Sequence, residues 1–420
     1  MTVSMTRDGG TGDWAATRAG DQHAFGRLVG PIGGSCSSTL AGCWGAPRTQ
    51  RTRSRVRDVV NLGLDPFFDF TIDMVQRSPR KASIGDKVAV VSPSFAAPAI
   101  APAVHEQAMR RLAETTGLVP VEYPTTRQLG ASPEARAADL NAAFADPSIR
   151  AVVATVGGEA QITVIPHLNA AAVLADPKPF VGYSDNTNIL NWLWSLGVRG
   201  FYGGSTQVHL GPGPSVDAIH AASLRSALVT GEPLEIVEPG ESEDIGKDWR
   251  DPAALTDYGE REPTEEWTWA GPERVVEGPT WGGCIEVVQW ILAAGRFPGD
   301  AAVLAGSVLL LESSEELIPA REFGWILRSL GERGLIAAVD AVIVARPPTT
   351  SFEVQRPSKQ REALRAEQRD VAVTTIARYN PNAVVVVGVP FGHTRPQWIL
   401  PYGGMVTVDG HRRQLWADYS

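Results

Sequence analysis

The sequence predicts two α/β domains, each built on a largely parallel sheet. Three observations predict this. Short apolar runs alternate with helical stretches, the connections between them are short, and the alternation stops near residue 231 and resumes near residue 279. Strand and helix in turn, with short links, require parallel strands covered by helices on both faces. With 420 residues, the chain is long enough to bury two cores.

The elements read in order from Lys87. Residues 87–94 (KVAVVSPS) are a nearly continuous apolar run ending in small polar residues, the pattern of a buried parallel strand. A helix around residues 105–116 follows, then a strand at 118–123. Residues 132–146 open with a Ser-Pro helix-entry signal and carry apolar residues at helical spacing. Residues 149–158 form a third strand that ends on Gly157-Gly158. A helix from about 161 to 174 leads to a fourth strand, 179–184, which runs straight into a helix at 185–197. In the second half, 282–295 reads as helix, 307–314 as strand, 321–334 as helix with a glycine stop. Then come a strand at 337–347, a long helix at 358–379, a strand at 382–393 and a closing hairpin at 405–417, with Asp409-Gly410 as its expected tight turn.

These elements divide the chain into residues 81–230, a linker or insertion at 231–278, and 279–420. Between Glu241 and Glu266 the insertion holds ten acidic residues against three basic ones, with Trp249 among them and Trp267 and Trp269 directly after. A stretch this long without periodicity is expected to connect the domains and fold partly over the site. Residues 1–80 are rich in Gly, Arg, Ser and Thr and lack apolar periodicity. They are expected to be poorly ordered and outside the active fold, either a natural extension or, the preferred reading, a start placed too early, with Met74 the true beginning.

Composition narrows the function. Hydrophobic residues make up 43% and charged residues 20% of the chain, as in soluble globular proteins. A formal charge of −9 argues against nucleic acid as a partner, because phosphate affinity comes from clustered Lys and Arg. No apolar run approaches the ~20 residues that span a bilayer, and the polar N-terminus lacks a signal-peptide core. Cys36, Cys43 and Cys284 are an odd number without ligand spacing, so no disulfide framework and no metal are expected, and a cytoplasmic location fits. No cofactor motif is found; T-V-G-G-E-A-Q is a poor match to a dinucleotide fingerprint.

Four positions carry potential chemistry, each at the carboxyl end of a predicted strand, where open sheets gather their sites. Ser184 lies on a sharp strand-to-helix turn, which can lift a hydroxyl to a helix N-terminus; on local evidence alone a plain N-cap is the stronger reading. Gly157-Gly158 could bring backbone donors to a reacting carbonyl, or simply make a turn. Glu312 ends the apolar run GSVLLLE and could orient an imidazole, though locally a helix cap is the better reading. His393 ends VVVVGVPFGH, where a lone histidine is often structural. Together they could supply the nucleophile, acid, base and oxyanion hole of a serine hydrolase.

Six motifs run in order along the last 340 or so residues: SIGDKVAVVSPS, VGGEAQITVIPHL, PKPFVGYSDNTNIL, GPTWGGCIEVVQWILAAG, GSVLLLESSEELIP and GVPFGHTRPQWILPYGG. Through them the chain resembles the LD-carboxypeptidases, and within them the microcin-C immunity carboxypeptidases. The resemblance implies an N-terminal α/β sandwich domain joined to a smaller C-terminal α/β domain, with the active site at their interface, and commonly a homodimer. It implies Ser184 as nucleophile, Glu312 as acid and His393 as base, with the backbone amides of Gly158 and Asp185 as oxyanion hole. Substrates of the family are small peptides or peptidyl-nucleotides: murein members remove a terminal D-alanine from a cell-wall tetrapeptide, and microcin-type members cleave an aminoacyl-nucleotide amide. The tryptophan-bearing insertion resembles the second group. Gly157, Trp249 and Arg346 are the candidate substrate-binding residues: Trp249 for stacking a nucleobase, at ~1–3 kcal/mol, or for packing the insertion down, and Arg346 for the substrate carboxylate. A non-catalytic nucleotide-binding module and a silent scaffold stay open as alternatives.

Overall fold

The computed structural model describes residues 76–297 and 299–420, so the expectations for residues 1–75 lie outside the described residues. Residues 76–80, assigned to the extension, are part of the fold. The Arg77 N–H donates to the Gly197 carbonyl at 2.7 Å, and Ser78 Oγ donates to the Ser420 carbonyl at 2.6 Å.

The first sheet contains β1 (Lys87–Val91), β2 (Val119–Glu122), β3 (Ile149–Ala154), β4 (Phe180–Gly182) and β5 (Gly200–Tyr202), parallel in the order β5-β4-β3-β1-β2. Val88 through Val91 are all buried, because helices cover both faces of a parallel sheet and leave no polar side to alternate with. Those helices include α1 (Pro102–Thr116), α2 (Pro133–Ala145), α3 (Ala170–Ala175) and α4 (Thr187–Ser195). Helix α1 stops where Gly117 takes φ 74°, the left-handed end that glycine tolerates. Helix α2 starts where the Ser132 hydroxyl accepts the Ala135 N–H, as predicted. The helix expected over 161–174 is instead two 3₁₀ turns, Gln161–Thr163 and Ile165–His167, followed by the short α3. Pro166 sits inside the expected helix and cannot donate to its ladder.

Beyond α5 (Ala218–Arg225) the second sheet builds on β6 (Leu234–Ile236). After a small hairpin of β7 (Glu241–Ser242) and β8 (Glu262–Pro263) come β9 (Thr268–Ala270), β10 (Val275–Cys284), β11 (Val308–Glu312), β12 (Ala341–Ala345) and β13 (Val384–Val389). β14 (Leu400–Tyr402) crosses back and pairs antiparallel with β5, a seam between the two sheets. β15 (Met405–Asp409) and β16 (Gln414–Ala417) complete the order β6-β16-β15-β10-β11-β12-β13-β9. β10 to β13 are parallel and central, with α6 (Ile285–Ala293), α7 (Ala320–Glu332), α8 (Leu335–Ala338) and α9 (Ser358–Tyr379) between or after them. None of the described helices is long and apolar enough to cross a membrane.

Three expectations change here. The segment 231–278 is not structureless, since it supplies β6 to β9 and the start of β10. The helix expected from residue 282 begins at Ile285, because β10 continues through Gly282 and Gly283 at φ 134° and 120°. A Cβ on Gly282 would sit 2.0 Å from the Leu310 carbonyl oxygen, so only glycine lets β10 run this close to β11. The closing hairpin turns through four residues rather than two. Asp409 Oδ1 accepts the N–H groups of His411 and Arg412 at 3.0 and 2.9 Å, and Arg413 takes the positive φ.

Arg346 leaves β12 and meets three carboxylates of the insertion: Nη1 to Asp244 at 2.7 Å, Nη2 to Glu262 at 3.2 Å and Nε to Glu265 at 2.8 Å. Arg365 on α9 pairs with the same three. The ten acids of the insertion are thus partly explained: they fasten it to cationic side chains of the second sheet. Arg346 is 2% exposed and Asp244 fully buried, and removing one partner of a buried ion pair costs about 3–5 kcal/mol. Arg346→Met is therefore expected to destabilise the protein by about 3 kcal/mol in urea denaturation and to open residues 241–265 to limited proteolysis. Unchanged cleavage would contradict this clamp.

Candidate active site

The chain passes from β4 into α4 through Tyr183, which is extended, and Ser184, which takes φ 57°. A left-handed conformation costs a side-chain-bearing residue ~1–2 kcal/mol, and such strain persists where surroundings over-determine it. Tyr202 at the end of β5 is one of those surroundings: its hydroxyl accepts the Ser184 N–H at 3.2 Å. Thr187 is another, its hydroxyl donating to the Ser184 carbonyl and accepting the Cys284 N–H at 3.3 Å. The end of β10 is thereby tied to the serine turn.

Gly157 packs directly against this turn. A Cβ there would lie 2.8 Å from Ser184 Oγ and 3.3 Å from the Asp185 nitrogen, so no other residue leaves the hydroxyl free. Gly158 lies against Ser94. Asp185 brings more than its backbone to this corner. Its fully buried carboxylate accepts from the Ser94 hydroxyl, from the Gln161 N–H at 2.8 Å and from Asn188 Nδ2 at 2.9 Å. Burial pushes its carboxyl pKa up, against the pull of those hydrogen bonds.

Glu312, the last residue of β11, joins the two sheets chemically. Its Oε1 accepts from the Tyr202 hydroxyl at 2.5 Å, and its Oε2 faces His393 Nδ1 at 2.6 Å. Burial first, and then the nearby Glu312 charge, hold the Tyr202 phenol well above its ordinary pKa, so it stays a donor. His393 lies four residues beyond β13. Its neighbour Gly392 allows the contact, since a Cβ there would be 2.8 Å from Glu312 Oε2. The His393 ring lies 4.8 Å from the ring of Tyr183, the residue before Ser184. Among the described residues, no hydrogen bond joins the Ser184 hydroxyl to this ring. Nε2 faces Glu315 at 2.9 Å instead. Burial alone would lower the His393 pKa, but Glu312 and Glu315 override it and hold the ring well above its usual range.

The structure therefore gathers Ser184, Gly157, Gly158, Asp185, Glu312 and His393 around the seam between the sheets. It gives Arg346 another occupation, since all its nitrogens meet protein carboxylates. Trp249 packs against the small buried cluster of Ala101, Val104 and Ala254, and Trp267 and Trp269 pack against the main core. Packing of the insertion, the alternative to nucleobase stacking, accounts for these contacts. Sequence reasoning missed Tyr202, Glu315 and the Asp185 carboxylate. Strand β5, which carries Tyr202, is too short to show a period, and the other two have no local signal. Among the described residues, no group of three or more His, Cys, Asp or Glu could hold a metal ion.

The family model for the LD-carboxypeptidase N-terminal domain matches residues 88–203, and that for the LD-carboxypeptidase C-terminal domain matches residues 277–408. A Vibrio cholerae protein named as a carboxypeptidase is 27% identical over 342 residues, 79% of this chain and 96% of that protein. The microcin C7 self-immunity protein MccF of Escherichia coli is 23% identical over 67% of this chain and 77% of its own length. Among solved structures, an MccF-like protein from Streptococcus pneumoniae in complex with AMP superposes with a TM-score of 0.70 at 24% identity, covering 80% of this chain and 99% of that one. MccF in complex with glutamyl sulfamoyl guanosine gives 0.69 at 20% identity, covering 81% and 98%. Both halves of a two-domain α/β architecture are present in family order, and the chain belongs to the LD-carboxypeptidase family of serine-type carboxypeptidases.

Proposed function

We propose that Ser184, His393 and Glu312 act as a catalytic triad that hydrolyses the amide of an aminoacyl-nucleotide, as in detoxification of such compounds. The observation that carries this reading is the buried Glu312 carboxylate, which holds His393 Nδ1 on one oxygen and, through Tyr202, the Ser184 main chain on the other. In the acylation step Ser184 Oγ bonds to the amide carbonyl carbon while His393 Nε2 takes the hydroxyl proton. The oxyanion that forms meets the N–H groups of Gly158 and Asp185, each worth ~3 kcal/mol in a dry site. The C–N bond then breaks, and the amine leaves with the proton from His393. Water, deprotonated by the same ring, attacks the acyl-enzyme ester and releases the acid and Ser184.

The choice of an aminoacyl-nucleotide over a murein tetrapeptide rests on likeness to MccF, whose solved complexes hold glutamyl sulfamoyl guanosine and aspartyl sulfamoyl adenosine. Incubation with an aspartyl sulfamoyl adenosine and with a murein tetrapeptide, side by side, is expected to show turnover of the first. Release of D-alanine alone would move the protein to the cell-wall branch. A fluorophosphonate adduct at Ser184, read by mass spectrometry, is expected in either case; its absence together with tight nucleotide binding would favour the non-catalytic module.

A further inference from the structure

We propose that Glu315 is a positioning residue for the reaction: in the resting enzyme its carboxylate holds His393 Nε2 in place of Ser184, and it must leave before His393 can accept the serine proton. This inference rests on the triad reading above. It begins from a conflict in the geometry. A histidine that serves as base needs one ring nitrogen carrying a proton toward its orienting carboxylate and the other nitrogen free. Here carboxylate oxygens stand at both nitrogens, Glu312 at 2.6 Å and Glu315 at 2.9 Å. Both contacts are satisfied only when both nitrogens carry protons, because a carboxylate can only accept. The ring so held is an imidazolium, which has no lone pair for the Ser184 proton.

Glu312 and Glu315 are not equivalent. The Glu312 side chain is fully buried and has a second partner in Tyr202. The Glu315 side chain is 56% exposed and meets His393 at Nε2. Its backbone is anchored from behind: Ser314 donates to Glu286 Oε1 through its N–H at 3.0 Å and its hydroxyl at 2.8 Å, and Leu317 turns the chain at φ 54°. The Glu315 side chain can therefore rotate into solvent without disturbing the turn, and the buried Glu312 cannot. The charged and titratable groups facing the imidazole are Glu312 from β11, Glu315 from the following turn, Tyr183 from the serine turn and His209 from the segment Thr206–Leu210. Burial, followed by nearby positive groups, holds His209 well below its usual pKa, so that ring stays neutral. Tyr183 stays a phenol, since burial pushes it well above 10. Among the described residues facing the ring, Glu315 is thus the charge that can depart.

The sign follows. The base works deprotonated, so activity rises with pH through the His393 pKa. Removing Glu315 removes a group that raises that pKa, and the acid limb must move to lower pH. The rate of Ser184 labelling by an alkyl fluorophosphonate tests this without knowledge of the natural substrate: Ser184 Oγ bonds to phosphorus, fluoride leaves and His393 receives the proton. For Glu315→Gln and Glu315→Ala the limb is expected at lower pH than in the parent, with about a tenfold faster rate at its foot for each unit moved. Glu316→Gln, which alters a neighbouring charge that does not contact the ring, is expected to leave the limb in place. An unmoved limb in both Glu315 variants, with thermal melts like the parent, overturns the proposal. So does a uniform loss of labelling at every pH. Failure of the triad reading looks different: Ser184→Ala would then keep its turnover, whatever Glu315 does.

Discussion

Ser184→Ala is expected to lose on the order of 10⁶-fold in kcat, the loss found when the nucleophile of a serine protease triad is removed, while melting at the temperature of the parent. The two halves of this expectation have separate physical causes. Turnover falls because Oγ is the atom that would form the acyl-enzyme ester. Gly157 lies against the Ser184 side chain with no Cβ to spare, so a water taking the place of Oγ would have no covalent route to an acyl-enzyme. Stability holds because alanine keeps the Cβ, and with it the cost of φ 57°, while the Tyr202 contact is made by the Ser184 backbone rather than its hydroxyl. Ser184→Gly separates strain from chemistry. It is equally inactive, yet it sheds the ~1–2 kcal/mol left-handed penalty against a glycine entropy cost of about 0.5–1 kcal/mol. It is therefore expected to be at least as stable as Ser184→Ala. The pair is checked by thermal melting and by turnover of an aspartyl sulfamoyl adenosine; a fully active Ser184→Ala protein ends the triad proposal.

The position of Ser184 illustrates what local sequence can carry. Strand β4 and the start of α4 were readable because a buried apolar run gives way to helical periodicity within a few residues, and Ser184 stands at the change. Glu312 was readable for the same reason, since β11 is an unbroken apolar run with Glu312 as its last residue, whereas β13 stops at Val389, four residues short of His393. Strand β10 was misread because Gly282 and Gly283 look like a break before a helix. Their role is to bring backbone close to Leu310 and to Tyr202, and that neighbour is invisible in sequence. Strand β5 and its Tyr202 escaped notice because three residues bounded by glycines give no period to count. Glu315 and the Asp185 carboxylate act through partners 78 and 91 residues away (His393 and Ser94), and no spacing rule reaches that far. Arg346 was a candidate for the substrate carboxylate; the carboxylates it meets are the insertion's own.

Glu312→Gln is the second large effect, expected to lower kcat about 10⁴-fold with the fold intact, as when the triad acid of a serine protease becomes its amide. The side chain is isosteric, so the loss comes from hydrogen-bond polarity alone. In the parent both oxygens accept, one from Tyr202 and one from His393 Nδ1. Glutamine has one oxygen and one NH₂. If the oxygen faces the ring, the NH₂ confronts the Tyr202 hydroxyl, which must turn its proton away from a buried position, at about 1–3 kcal/mol for the group left unpaired. If the NH₂ faces the ring, Nδ1 must accept, Nε2 must then carry the proton, and the tautomer is the wrong one for taking a proton from Ser184. Either way the imidazole also loses the charge of its nearer carboxylate. Tyr202→Phe separates these effects: it removes the Ser184 N–H acceptor and one donor to Glu312 but leaves the carboxylate on His393, so it should cost far less than Glu312→Gln. Steady-state turnover of the three proteins across pH checks the order. A Glu312→Gln enzyme that keeps more than a tenth of parental turnover would show that the carboxylate neither fixes the tautomer nor supports the charged ring, and the base of this site would have to be sought elsewhere.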